Sequence, residues 1–359
     1  MKIFSFGDLH FHQYHTFSYP VEFGYTVRLQ EHINTCKEIA KLIIEKKPDL
    51  ICCGGDVFHT WSIVDTITLD AVVEGLHYID EACAKLGKPF HIIVGNHDLL
   101  SDNNMSSNSL KPFKYYPNII LHETLCDDTE DKILFIPYVM ESSVVQSFLT
   151  NVKNKEDYVA IAHLDLLGAK YSETIVDQSG MDSKMFSPLK KVLAHHYHLP
   201  QKLNKNIIIT GSTQVFSFNE PRSILKRGVV IYDTETDSVE RIKLNVPDWI
   251  KLDDEMDLKE ELNNLSPNNY VKLSLASDFS LSENDISLED LRHKFLKVEV
   301  EFDVERIKKI TRVRSSEDII RDSEEDVIND FIDLQQDYSE KKKEKFKQVG
   351  MKILGKVRS

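Results

Sequence analysis

The sequence predicts an α/β layered domain that turns β-rich towards its end, then a small α+β domain, then a helical tail. Three observations carry that prediction. Short apolar runs of strand length alternate with segments of helical periodicity through the first half of the chain. Strand-like segments then crowd together between residues 191 and 244. After Trp249 the texture turns acidic, and from Ser315 onward the apolar spacing is that of a helix.

In chain order, Lys2–Phe6 reads as a strand and Thr26–Lys46 as a helix that stops before Pro48. Leu50–Cys53 is a buried strand, Asp65–Leu86 a helix and Pro89–Val94 a strand. Ile133–Ile136 and Val159–Ala162 are two more strands. Lys191–Ala194, Asn206–Thr210, Gly228–Asp233 and Val239–Leu244 follow, and Asp233–Asp237 reads as the hairpin loop between the last two. A first domain over residues 1–248 closes there. Residues 249–312 make a second, in which an acidic stretch (Asp253, Asp254, Glu255, Asp257) precedes Tyr270–Leu275, Leu288–His293 and Phe295–Phe302 as strand, helix and strand. Residues 313–359 make the tail, whose charge is divided. Its 316–337 portion holds nine acids and one Arg, and 338–359 holds eight bases and two acids.

Composition bounds the function. The 359 residues are 41% hydrophobic and 28% charged, which excludes wholesale disorder. No run approaches the roughly 18 apolar residues of a membrane span. The opening MKIFSFGDLH meets Asp8 and His10 before a signal-peptide core can form, so a cytoplasmic location is expected. The five cysteines, with no C-x-x-C among them, read as reduced buried thiols. The net charge of −14 argues against a protein held to nucleic acid by overall charge. A nuclease stays open, because bound divalent cations and a local basic strip can offset that balance.

Five segments share one design, an apolar strand running straight into metal-ligand residue types. They are Asp8-Leu9-His10; Gly54-Gly55-Asp56-Val57-Phe58-His59; Gly95-Asn96-His97-Asp98; His163-Leu164-Asp165; and His195-His196-Tyr197-His198. On an extended chain the spacing-two pairs Asp8/His10 and His196/His198 face one side. Open α/β sheets bind ligands at the carboxyl ends of their strands, so these groups are expected in one crevice. Oxygen and imidazole donors without thiolate suit Mn²⁺, Mg²⁺ or Fe rather than structural zinc. Asp8, His10, Asp56, Asn96, His163, His196 and His198 exceed one ion's usual protein ligands. A pair of ions about 3.5–4 Å apart, sharing one carboxylate, accounts for them. Singly each motif has a bland reading as a cap, a turn or an exposed strand face. Five at strand ends, in this order, point to a metal centre.

These motifs resemble the signature of the calcineurin-like metallophosphoesterases, and within them the SbcD/Mre-eleven nucleases of SbcC–SbcD-type DNA repair complexes and phage recombination. The protein phosphatases of the superfamily continue their central Asp with Asp-Arg-Gly, whereas here Asp56 continues with Val57-Phe58-His59. Leu199-Pro200-Gln201, then Gly211-Ser212-Thr213 with Phe218-Asn219-Glu220, resemble further family elements. The resemblance covers residues 1–245 well and the remainder by architecture alone. It implies a four-layer β-sandwich flanked by helices, with a small α+β capping domain and C-terminal helices.

It also implies roles. Asp8, His10, Asp56 and His198 would hold one Mn²⁺ (Mg²⁺ being the alternative), and Asp56, Asn96, His163 and His196 the other. His97 would serve the leaving oxygen, His59 would position His97 or the phosphate, and Asp98 would orient an imidazole. The family usually has Gly where His195 stands; strand alternation gives His195 a structural or DNA-facing role, with a one-residue slip into the ligand set as the alternative. His12, His15, His91, His122 and His293 receive no role. The implied activities are 3′→5′ exonuclease on duplex DNA and endonuclease on single strands. The competing function is a phosphodiesterase for a small or cyclic nucleotide, and a third is a non-catalytic scaffold. The implied partners are DNA, a second copy through Asp65–Leu86 and Ser101–Tyr116, and an SbcC-type coiled-coil ATPase gripped by the tail. Helices folded on the protein's own surface are the alternative in the last two cases.

Overall fold

The computed structural model describes residues 1–303 except 62–63, 102–103, 173, 221–225 and 278, together with 343, 346 and 347. Apart from those last three residues, the helical tail expected over 313–359 lies outside the described residues. The chain begins with β1 (Lys2–Phe6), α1 (Val27–Lys46), β2 (Leu50–Cys53), α2 (Thr66–Leu86), β3 (Phe90–Ile93), β4 (Leu99–Ser101), β5 (Asn104–Asn108) and β6 (Ile119–His122). It continues through β7 (Cys126–Asp128), β8 (Ile133–Ile136), α3 (Ser142–Asn151), β9 (Val159–His163) and β10 (Lys191–His195). β11 (Gln201–Lys202), β12 (Ile207–Ile209), β13 (Val229–Asp233) and β14 (Ser238–Ile242) follow.

Two six-stranded sheets result, ordered β14-β13-β1-β2-β3-β6 and β11-β12-β10-β9-β8-β7. Each has a parallel centre with antiparallel strands at its margin: β13 and β14 in the first, β7 and β11 in the second. Strand alternation builds the layers. Ile3, Leu50 and Cys52 of the first sheet meet Phe135, Ile161 and Leu193 of the second. Phe4, Phe6, Ile51 and Phe90 point the other way, into α1 and α2 residues such as Leu29, Ile33, Leu76 and Ile79. The outer face of the second sheet (Leu134, Ala160, Val192) packs on Val145 and Leu149 of α3. This is the mixed α/β sandwich flanked by helices that the sequence predicts. Each fully buried Phe or Ile adds about 1.5–3 kcal/mol to it.

The helix limits have local causes. Thr26 accepts the Leu29 N–H at 3.2 Å and opens α1, which ends at Lys47 in the left-handed conformation before Pro48. Asp65 accepts the Thr68 N–H at 2.8 Å and opens α2, and Gly87 closes it. The sequence expectation misses several short elements, namely β4, β5, β6, β7, α3 and β11.

Beyond β14 lie β15 (Asp248–Asp253), α4 (Leu258–Asn264), β16 (Asn269–Ala276), α5 (Leu288–Lys294) and β17 (Lys297–Asp303), with the sheet order β15-β16-β17. The strand–helix–strand expected here is present as β16, α5 and β17. The sequence reading gives no strand to β15, of which only Asp253 belongs to the expected acidic stretch. Its Trp249 and Leu252 are buried while Asp248 and Asp253 stay half-exposed, so the polar ends mask a strand. Leu252, Leu273, Leu275, Leu291 and Phe295 form a core of their own. One compact unit covers Met1–Leu275 and Phe279–Glu301.

Candidate metal centre

β1, β2, β3, β9 and β10 deliver the five motifs from their carboxyl ends, as the sheet rule predicts. The backbone then leaves strand geometry at once. Asp8, His10, Asp56 and His196 have φ of 52°, 50°, 51° and 93°. Left-handed backbone at a non-glycine residue is costly and concentrates at functional sites. The face-sharing argument from an extended chain is therefore corrected: β1 ends at Phe6 and β10 at His195, so neither Asp8/His10 nor His196/His198 lies on a strand. Loop-on-loop hydrogen bonds aim these residues instead. Asp8 N–H donates to Gly55 O at 2.9 Å, and His10 N–H to Asp56 O at 3.0 Å. A Cβ on Gly95 would lie 2.2 Å from Asp56 Oδ1, which is why the third turn needs glycine there.

The structure gathers the other six expected ligands around Asp56. Asp8, His10 and His198 form one group able to hold a cation, and Asp56, His163 and His196 another. His10 Nε2 and His163 Nε2 lie 3.6 and 3.5 Å from Asp56 Oδ2, which places this carboxylate between the groups. Asn96 Oδ1 sits 3.0 Å from both His163 Nε2 and His196 Nδ1.

Partners of the opposite ring nitrogens fix how each imidazole is presented. His163 Nδ1 lies 2.7 Å from Gly54 O, so it carries a proton there and Nε2 is the nitrogen turned inward, the one a cation would meet in place of a proton. His198 Nδ1 lies 3.1 Å from Glu220 Oε1, which likewise leaves Nε2 as the nitrogen facing the centre. His10 Nδ1 faces His59 Nδ1 at 3.4 Å, and its Nε2 meets His198 Nε2 at 2.9 Å. With Nδ1–H on His10 directed at His59, two lone pairs aim at one point, an arrangement that suits a cation. Asp8 Oδ2 is buried and accepts no hydrogen bond among the described residues. The donor set and this orphaned oxygen both fit divalent metal. Bound there, such ions supply Lewis acidity towards a phosphate and lower the pKa of water.

An outer layer holds the ligands, and composition alone did not single it out. Glu220 bridges His198 to Arg227, which also donates to Ser212 Oγ at 2.9 Å. Asp165 Oδ1 lies 2.8 Å from His196 Nε2, and the Tyr138 hydroxyl donates to Asp165 Oδ2 at 3.1 Å. Asp165 stands two residues after His163, so the fourth motif carried its signal. Asp98 does not orient an imidazole as expected. Its Oδ1 accepts the Val57 and Phe58 N–H groups at 3.0 and 3.1 Å and its Oδ2 the Gly95 N–H at 3.0 Å, tying the Asp56 loop to the Asn96 loop.

His97 donates its backbone N–H to Asp56 Oδ1 at 2.9 Å, and its Nδ1 meets His59 O at 2.6 Å. The His59 and His97 rings stack, 5.6 Å apart. His195 is fully buried, with Nε2 2.9 Å from Ser5 Oγ and Nδ1 2.9 Å from Thr210 Oγ1. It is structural and neither a ligand nor DNA-facing. A Cβ on Gly54 would lie 2.0 Å from its ring, so the imidazole occupies space that only glycine leaves free.

Electrostatics follow from burial and neighbours. Burial, then His198, holds His10 well below its usual range. Burial, then His97, brings His59 down to about 4. Burial opposes charge on His163, but the Asp56 carboxylate overrides it and raises His163 to about 9. Burial and then Asp56 push Asp98 up to about 7 against the pull of its N–H donors.

Comparison with known proteins gives one family. The calcineurin-like phosphoesterase model matches residues 1–232. No curated protein matches the chain significantly.

Proposed function

The chain belongs to the calcineurin-like phosphoesterase family, and from that premise we propose that it is a two-metal DNA nuclease. In this reading it is the nuclease subunit of an SbcC–SbcD-like recombination or repair complex, works with Mn²⁺, and cuts duplex ends 3′→5′ and single strands internally. The observation that carries the reading is His59. Asp56-Val57-Phe58-His59 stands where the phosphatases have an Asp-Arg-Gly turn, and the His59 ring packs against both His10 and His97. His97, its Nδ1 held by the His59 carbonyl, keeps Nε2 as the open nitrogen, the atom that holds or gives a proton at the leaving oxygen. The sheet β15-β16-β17 supports a macromolecular substrate over a small cyclic nucleotide, which needs no such addition. A non-catalytic scaffold would have shed ligands, and the sequence keeps all seven residues expected to serve as such. The SbcC-type ATPase, the homodimer and the 249–312 boundary belong to the same proposal.

The test is DNA digestion with Mn²⁺, Mg²⁺ or EDTA. Asp56→Ala is expected to abolish both metal binding and cleavage, and His97→Ala to bind metal while losing most turnover. Normal cutting by both variants would refute the assignment. Hydrolysis of a cyclic nucleotide with no action on DNA would favour the smaller substrate.

A further inference from the structure

Two aromatic side chains rest on imidazoles of the centre while keeping much of their surface in solvent. Trp61 is 36% exposed, and its ring meets that of His97 edge to face at 5.6 Å and 88°. Tyr171 is 44% exposed, and its ring meets that of His196 at 6.1 Å and 78°. One sits beside the His10/His97 side of the centre and the other beside the His163/His196 side. The other tryptophan, Trp249, is 8% exposed, so a wet indole is not this chain's habit.

Tyr171 is held in place. Lys170 N–H donates to Gln201 Oε1 at 2.9 Å, and Gln201 Nε2 donates to Lys170 O at 2.8 Å and to Leu199 O at 3.1 Å. Gln201 thus ties the residue before Tyr171 to the strand exit carrying His198. On its other side, Tyr171 N–H donates to Ile175 O at 2.9 Å, and the Tyr171 hydroxyl reaches Asp177 Oδ2 at 3.4 Å. That same carboxylate oxygen accepts the buried Tyr197 hydroxyl at 2.7 Å. An aromatic ring already ordered loses little entropy on stacking.

A phosphodiester lying over Asp56 has two ester arms, and a partly exposed aromatic side chain stands on each side. We propose that Trp61 and Tyr171 are stacking platforms for the nucleobases flanking the scissile phosphate, so that the preferred DNA presents unpaired bases there. The inference rests on the nuclease reading and specifies its substrate. Bases in an intact duplex have both faces covered, whereas single strands and frayed ends offer theirs. Stacking is sequence-tolerant, so the preference is for unpaired bases rather than for any one base.

The test uses full-length protein in two arms. In EDTA, oligo-dT is expected to quench tryptophan emission saturably, an abasic strand of equal length to do so far less, and Trp61→Phe to lose most of the quench. With Mn²⁺, the wild type is expected to cut oligo-dT over the abasic strand. Trp61→Ala and Tyr171→Ala should each shrink that ratio of kcat/KM by about 5- to 150-fold, the worth of one base–aromatic stack, and Tyr171→Phe should restore it. General damage to the fold would slow both strands and keep the ratio. An unchanged ratio with no Trp61-dependent quench overturns the inference while DNA cutting leaves the nuclease reading standing. Neither quenching nor cutting of either strand overturns both.

Discussion

Glu220→Gln separates the outer layer of the centre from its ligands. Glu220 accepts from His198 Nδ1 through Oε1 at 3.1 Å and pairs Arg227 through Oε2. Burial would raise its carboxyl, but His198 and Arg227 together hold it below the usual range. Gln matches its size yet has one acceptor oxygen, so its NH2 group must face either the imidazole N–H or the guanidinium. Losing such a partner behind a metal-binding His costs about 10–100-fold in metal affinity, or about 1.4–2.7 kcal/mol. Arg227 is 8% exposed and keeps Ser212 Oγ, so the stability loss is expected below the roughly 3–5 kcal/mol of a fully orphaned buried charge. Calorimetric titration with Mn²⁺ should show two binding events in the wild type. One should weaken 10–100-fold in the variant, with the event at Asp56, His163 and His196 little changed. Unaltered affinities, or equal weakening of both events as a looser fold would produce, refute the reasoning.

Asp165→Asn should weaken the other event instead, by about 10-fold, because Asp165 backs His196 at 2.8 Å; the same titration reads it. Gly95→Ala forces a methyl to 2.2 Å from Asp56 Oδ1; a stability loss of about 1–3 kcal/mol in urea denaturation and loss of metal binding are expected, and a wild-type midpoint would contradict the close approach. Glu31 supplies a pH dependence. Burial raises its carboxyl to about 7 against the hydrogen bond from Tyr270 at 2.7 Å and the nearby Arg28. Its folded pKa lies above its unfolded one, so its contribution is full below about pH 4.5 and is lost as pH rises through about 7. The size is on the order of 3 kcal/mol, and Glu31→Gln should flatten the decline in Tm across that window.

Much of this centre was legible because each ligand follows an apolar strand that the chain can bury only one way. Leu50–Cys53 ahead of Asp56, and Phe90–Ile93 ahead of Asn96, announce both the sheet and the crevice at its end. What spacing could not convey was the conformation just past the strand. Alternation presumes extended backbone, and Asp8, His10, Asp56 and His196 abandon it for left-handed φ. The long-range partners were hidden for a related reason. Glu220 meets His198 across 22 positions, and Asp98 meets Val57 across 41. Only the folded loops bring these together. His195 read as an anomaly until Gly54 and Gly7 showed the space its ring fills.

The central claim is that two cations share Asp56. Electron paramagnetic resonance of protein titrated with Mn²⁺ tests it most directly. The account predicts two ions per chain with the magnetic coupling of a pair about 3.5–4 Å apart, and no coupled pair in Asp56→Ala. A single isolated Mn²⁺ signal in the wild type, or a coupled pair that survives Asp56→Ala, would contradict it.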